Sequence, residues 1–310
     1  MRSSVSRIAL GLGLAGIGCL AFWAARKRRR ALEAQKPLWS PGDSLKEIVE
    51  AHKEYLRTSF PKHHKKFLRI LKGDAEAAQA EAAVFALLKA RRLRPEPADD
   101  PGTGGTDFLC RPTIRPPFVV EVTNLSQDSI SRHSHIPGDQ FEGGGAFEMV
   151  TEALFAKVRK KAEQLADYPH ARVLVVTTSH HAAVSLFDAM GAEWLLTSEP
   201  RITYALEAPR EAFKETTDLA SSIFFRPNDK HQIVPCRQSV SAVLLVGLYD
   251  DQCQVLGILH PEPAYPFDIG NFQEVPFVRV SEWPIVEGEL KTEWIVASPQ
   301  AKGFYHIAAR

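Results

Sequence analysis

Two carboxylates, Asp107 and Glu121, are the residues whose type and spacing could do chemistry. Each lies seven positions from Ile114, so a hairpin turning there sets them opposite one another on paired strands. Like charges facing each other cost stability unless a proton or a metal sits between them. A shared metal ion is therefore the chemistry the spacing permits; the alternative is an edge hairpin carrying two unrelated acids. Strand alternation sends Glu121 and Thr123 to one face and Val120 and Val122 to the other, where the valines would bury against a helix.

The elements that must position this pair follow from periodicity. Ala75 to Leu93 has high helix propensity with neither Gly nor Pro. Within it Glu81 has Ala77, Val84, Phe85 and Leu88 at −4, +3, +4 and +7, which puts an acid on the apolar face or at its edge; Glu76 lies on another face. A turn-rich linker from Arg94 to Gly105 delivers the chain to Asp107, and a polar loop is expected from Asn124 to Gly145. A helix from Phe147 to Ala166 follows, with Val150, Leu154, Val158 and Leu165 as its core stripe and Lys157, Lys161 and Gln164 along one polar edge. Arg172 to Thr178 is a buried strand, and Ala182 to Met190 a short helix closed by Gly191. Helix, hairpin, helix, strand and helix make an α/β layer arrangement. Four β-prone runs, at 242–248, 254–259, 277–280 and 292–296, form a β-rich C-terminal extension or complete the core sheet.

The formal charge of +1 over 310 residues hides an asymmetry. Residues 1–73 hold 16 Lys and Arg against 5 Asp and Glu, while the remainder holds 22 against 32. The acidic remainder excludes bulk attraction to nucleic acid, so any such binding needs a local patch. Cys19, Cys110, Cys236 and Cys253 lack metal-ligand spacing and read as thiols of a reducing compartment. Ile8 to Ala25 runs uncharged for 18 residues and is followed by Arg26-Lys27-Arg28-Arg29-Arg30. That order predicts a transmembrane helix with the bulk of the chain cytoplasmic, since a cleaved signal would carry its cations ahead of the apolar run. The basic stretch Lys62 to Lys72 beyond it predicts contact with anionic lipid, with a solvated helix face and a nucleic-acid contact as alternatives.

A helical Glu81, Asp107 opening a strand, 13 intervening residues and Glu121-Val122-Thr123 on the next strand resemble the core of the PD-(D/E)XK nuclease superfamily. Ser239 to Leu244 and Leu259 to Pro266 resemble uncharacterised bacterial members. The resemblance implies a restriction-endonuclease-like core over 75–200, preceded by an anchor (1–36) and a basic juxtamembrane helical linker (37–74) and followed by the extension (201–310). It further implies Mg²⁺ held by Asp107, Glu121, the Val122 carbonyl and Glu81, and hydrolysis of phosphodiester bonds of DNA; the N-terminal anchor places that activity at the cytoplasmic face of a membrane, expected to be a bacterial inner membrane. Thr123 stands where the family's lysine belongs. Lys157 or Lys161, supported by Gln164, is the expected replacement; failing that, the fold would serve as an inactive binding or scaffold protein.

Overall fold

A computed structural model describes residues 45–99, 105–134, 168–180, 189–197, 200–204, 213–217, 222–248, 253–284 and 292–297, with single positions between 154 and 165 and at 187. The anchor expected over Ile8 to Ala25 lies outside these residues, as do Gln164 and most of the loop after Ser134. Among the described residues no helix is long and apolar enough to cross a membrane.

Three helices open the described chain: α1 (Leu45–Ser59), α2 (Pro61–Gly73) and α3 (Ala75–Ala90). Pro61 begins α2, where its missing N–H costs nothing, and the Asp74 carboxylate caps α3 by accepting from Ala77 N at 3.0 Å. Ile48, Val49, Leu56 and Phe67 are buried, and α1 and α2 both pack on α3. The stretch expected as a connecting linker is thus part of the helical layer. Helix α3 stops at Ala90, short of the expected Leu93. Leu93 N turns back to Leu88 O at 3.1 Å, and Arg92 takes a left-handed φ of 58°, a closure that glycine usually provides.

One eight-stranded sheet organises the rest, in the order β1 (Pro95–Pro97), β2 (Phe108–Cys110), β3 (Phe118–Leu125), β4 (Ala171–Thr178), β9 (Ala242–Leu248), β10 (Cys253–Leu259), β11 (Phe277–Val280) and β12 (Thr292–Ile295). The pairs β3/β4, β4/β9 and β10/β11 are parallel and the other four antiparallel. Strand β4, central and parallel on both sides, is buried at every position, as its unbroken apolar run requires. The C-terminal strands complete the core sheet instead of forming a separate extension. Strand β1 lies inside the expected turn-rich linker; its two prolines are tolerated because it is the sheet's edge. Two hairpins, β5 (Pro200–Tyr204) with β6 (Phe213–Thr217) and β7 (Phe225–Pro227) with β8 (Ile233–Pro235), were not expected.

Alternation divides the sheet between two helical layers. Phe108 faces α3, its ring 5.8 Å from Phe85. Val119, Leu125, Leu174 and Val176 point to the other side, into a core with Leu154, Val158, Ala162 and Leu165. The helical residues 154, 156–158 and 160–162, here α5, confirm that part of the expected helix. Part of the expected polar loop is helix α4 (Gln127–Ser134), capped by the Ser126 hydroxyl at Ser129 N and anchored by buried Ile130. Helix α6 (Ala189–Thr197) passes through Gly191, which therefore does not end a helix as expected. Its packing face, with Ala192, Leu195 and Leu196 buried, outweighs the roughly 1 kcal/mol a helical glycine costs.

Gly257 has a structural reason of its own. It lies opposite Phe277, whose ring occupies the space a Cβ would take. Gly257→Ala is expected to cost about 1–3 kcal/mol by overpacking, lowering Tm by ~2–4 °C per kcal/mol. An unchanged melting curve would show that β11 is not seated against β10 in this way.

Candidate metal and phosphodiester site

The hairpin register carries the two acids to one place. Phe108 pairs with Val120, Leu109 with Val119 and Cys110 with Phe118, so the next position outward sets Asp107 opposite Glu121, as the symmetry about Ile114 requires. Strand β2 ends there, leaving Val122 N on the edge of β3 with no ladder partner. The Asp107 carboxylate supplies one, accepting from Val122 N at 2.7 Å. A strand residue sends its N–H and C=O toward the same neighbour, so the Val122 carbonyl opens toward Asp107 as well.

Neither acid is comfortable when ionised. Asp107 retains some exposed surface, yet protein packed around its carboxyl makes burial the largest cause of a pKa well above the carboxylate range. Glu121 and then Glu81 push it in the same direction, against the Val122 N–H and Lys66. Glu121 is 3% exposed, and burial raises its pKa too, although the charge and hydrogen bond of Lys161 oppose it. The Lys161 ammonium donates to Glu121 Oε1. The Asp107 backbone N–H also favours the Glu121 charge, and among the described residues Glu121 Oε2 is buried with no hydrogen-bond partner, an acceptor of the kind that normally costs ~1–3 kcal/mol.

Lys161 is therefore brought into the site from α5, on the sheet face that strand alternation gives Glu121. Lys157, one turn earlier, is half-buried; burial first, then Lys161 and Lys160, lower its pKa, and among the described residues it has no ion pair. Thr123 is 6% exposed on the Glu121 side of β3, and its carbonyl accepts from the Thr177 hydroxyl at 3.5 Å. Val122 is half-buried and Val120 fully buried. Glu81 is turned to His52, whose Nε2 lies 3.4 Å from its Oε1. Its charge reaches Asp107, but among the described residues no group of three or more His, Cys, Asp or Glu forms a ready cage for a metal. Glu76 has a structural task, accepting from Gln127 N at 2.9 Å and from Asn124 Nδ2 at 3.3 Å.

Further neighbours of the site come from the structure alone. His52 is 1% exposed and ringed by Phe67, Phe85 and Phe108. Asp99 is buried, and from α2 it receives the Lys66 ammonium and His63 Nε2, the latter 2.8 Å from its carbonyl. Ala98 N donates to the Asp107 carbonyl at 3.0 Å, which extends the β1/β2 ladder and seats Asp99 beside Asp107. Burial works against the Lys66 charge, but the Asp99 hydrogen bond and the fields of Asp99, Asp107 and Glu81 hold its pKa above the ordinary value. Gly105, with φ of 141°, makes the closure possible: a Cβ there would stand 2.9 Å from the Tyr168 hydroxyl and 3.1 Å from Asp99 Cα. That hydroxyl accepts from Thr106 N at 3.0 Å.

The donor set suits a hard cation. Two carboxylates above their ordinary pKa, an orphan carboxylate oxygen and a strand-edge carbonyl are oxygen ligands of the kind Mg²⁺ takes along with water. Comparison with family models, with curated proteins and with solved structures found no match to this chain.

Proposed function

We propose that the chain is a Mg²⁺-dependent phosphodiesterase acting on DNA, a restriction-endonuclease-like member of the PD-(D/E)XK superfamily held at the cytoplasmic membrane face by its apolar N-terminal run. The observation that carries this reading is the opposed pair Asp107 and Glu121, both shifted toward protonation, with Glu121 Oε2 buried and without a hydrogen-bond partner among the described residues. A cation between them relieves the repulsion and fills the missing contact. Asp107, Glu121 and the Val122 carbonyl would hold it, with Glu81 behind them. When bound, Mg²⁺ lowers the pKa of its water and neutralises charge developing on the phosphate. Lys161 opposes the burial that raises the Glu121 pKa and would donate to a phosphate oxygen, the task the family gives to the position of Thr123. Lys157, one turn before Lys161 and with its pKa lowered first by burial, is the second lysine this reading assigns to the site.

A second reading keeps the fold without catalysis. The direct Lys161–Glu121 ion pair favours it, because an ammonium already neutralises the carboxylate a metal would need. The two are separated by incubating the chain with plasmid, linear and single-stranded DNA, with Mg²⁺ or with EDTA. Cleavage is expected with Mg²⁺ and is expected to fall by at least ~100-fold in Asp107→Ala and Glu121→Ala, the scale of losing one electrostatic element of such a site. Cleavage that persists in EDTA, or in both variants, overturns the enzymatic reading.

A further inference from the structure

Helix α2 has two faces with different employment. Its inner face buries Phe67 and delivers His63 and Lys66 to Asp99. Its outer face presents Lys62, Lys65, Arg69 and Lys72, all exposed, at spacings of three, four and three residues that align them along one stripe. The sequence of α2 contains no Asp or Glu, and among the described residues none of the four cations has an ion pair. We infer that this stripe docks the sugar-phosphate backbone of a nucleic acid and leads it toward the Asp107–Glu121 site.

Three observations favour this partner. The stripe borders the site, since Lys66, one turn from Lys62 on α2, pairs with Asp99 and its charge acts on both Asp107 and Glu121. The stripe from Lys62 to Lys72 covers ten residue steps, about 15 Å at 1.5 Å per step, which matches some four phosphates of one strand at ~3.4 Å each along a duplex axis. Residues 74–310 carry 22 cationic against 32 acidic side chains, so a polyanion approaching the site has to be held by a local patch of this kind. A membrane-surface helix, by contrast, inserts an apolar face between headgroups. In α2 that face is used against α1 and α3, and Leu68, 41% exposed, is its one largely exposed apolar side chain.

The inference deepens the proposed function by naming the surface that receives the substrate, and it is tested without catalysis. Binding of the 310-residue chain to labelled duplex and single-stranded DNA is measured by fluorescence anisotropy in EDTA across a salt series. The variant carries Lys62→Gln, Lys65→Gln, Arg69→Gln and Lys72→Gln together. Loss of four phosphate contacts should reduce the slope of log K against log salt by about 3–4 for duplex and ~3 for single strands, and weaken binding at least tenfold near physiological salt. Exposed substitutions of this kind leave the melting temperature nearly unchanged. A control with Arg226→Gln and Lys230→Gln, two exposed cations on the β7–β8 hairpin, should bind like the parent. An unaltered affinity and slope in the fourfold variant overturns the inference. So does a variant that binds DNA normally but no longer binds phosphatidylserine vesicles, which would assign the stripe to the membrane. Salt-dependent docking that disappears in the variant, combined with no cleavage in Mg²⁺, leaves the docking surface standing and removes only the enzymatic reading.

Discussion

Asp107→Asn is expected to raise the melting temperature of the metal-free chain at neutral pH while removing the Mg²⁺-dependent cleavage proposed for it. The amide oxygen can still accept from Val122 N, so the β3 edge remains capped. What disappears is a charge that burial disfavours first and that Glu121 and Glu81 repel. In the unfolded chain Asp107 loses its proton near pH 4; folded, it keeps that proton to higher pH. Its contribution to stability is therefore intact below the ordinary carboxylate range and is lost as pH rises through the folded value. The variant's advantage should be near zero at pH 4 and grow toward pH 8, by ~2–4 °C for each kcal/mol of repulsion relieved. Added Mg²⁺ should reverse the ranking: an ion at a hundredfold excess over its Kd stabilises the parent by about 2.7 kcal/mol, and the variant has lost a ligand. Thermal melts at the two pH values, with EDTA and with Mg²⁺, read both effects. A variant less stable than the parent at pH 8 in EDTA would show that the charged hydrogen bond to Val122 outweighs the repulsion, and the tension expected of a cation site would be gone.

The acid pair was legible because hairpin register is a matter of counting. One symmetry centre at Ile114 places every β2/β3 partner, and the alternation of β3 then decides which acid shares a face with which helix. Lys161 was legible for a similar reason: the apolar stripe Leu154, Val158 and Leu165 fixes the phase of α5, and the polar edge beside it must look along the sheet. The four C-terminal strands could be found from their composition, but whether they extend the core sheet or stand apart depends on the β4/β9 pairing across more than sixty residues, which local patterns do not encode.

The part of the site that the sequence hides lies where one stretch carries two chemistries on two faces. Lys62 to Lys72 looks uniformly basic, yet its helical phase places His63, Lys66, Phe67 and Ile70 on one side, and that side meets Asp99. Asp99 itself was hidden in a segment rich in proline and glycine, where two prolines argue against a strand unless the strand is an edge. Counting would have reached it: Pro95 with Cys110 and Pro97 with Phe108 continue to Ala98 with Asp107. His52 left no trace in periodicity, because a histidine on an apolar face is indistinguishable from a packed aromatic until its partner, Glu81, is seen across the helix pair.

Lys161→Met tests the other half of the site, and here the expected effect on folding is a loss. The parent ion pair is nearly enclosed, with side-chain exposures of 24% for Lys161 and 4% for Glu121. Removing one partner of a buried pair typically costs ~3–5 kcal/mol, and the residual exposure of Lys161 places this case toward the lower end. Glu121 has a way to limit the damage, which is to keep its proton. Burial already raises its pKa and Lys161 is the main influence lowering it, so without the lysine the folded value climbs further. The stability gap between parent and variant should therefore be small at pH 4–5 and widen as pH rises and Glu121 is asked to ionise. Urea denaturation across that range measures it directly. The proposed cleavage should fall by ~10²–10³ through loss of the donor that the proposal assigns to the phosphate. Lys161→Arg separates the two roles: the guanidinium keeps a permanent charge for Glu121 and should restore most of the stability, but its planar fork cannot reproduce the compact ammonium beside Oε1. If Lys161→Met cleaves DNA as the parent does, the lysine is a structural counter-ion only, and the cation that completes the site must come from elsewhere, with Lys66 of α2 the next side chain to replace.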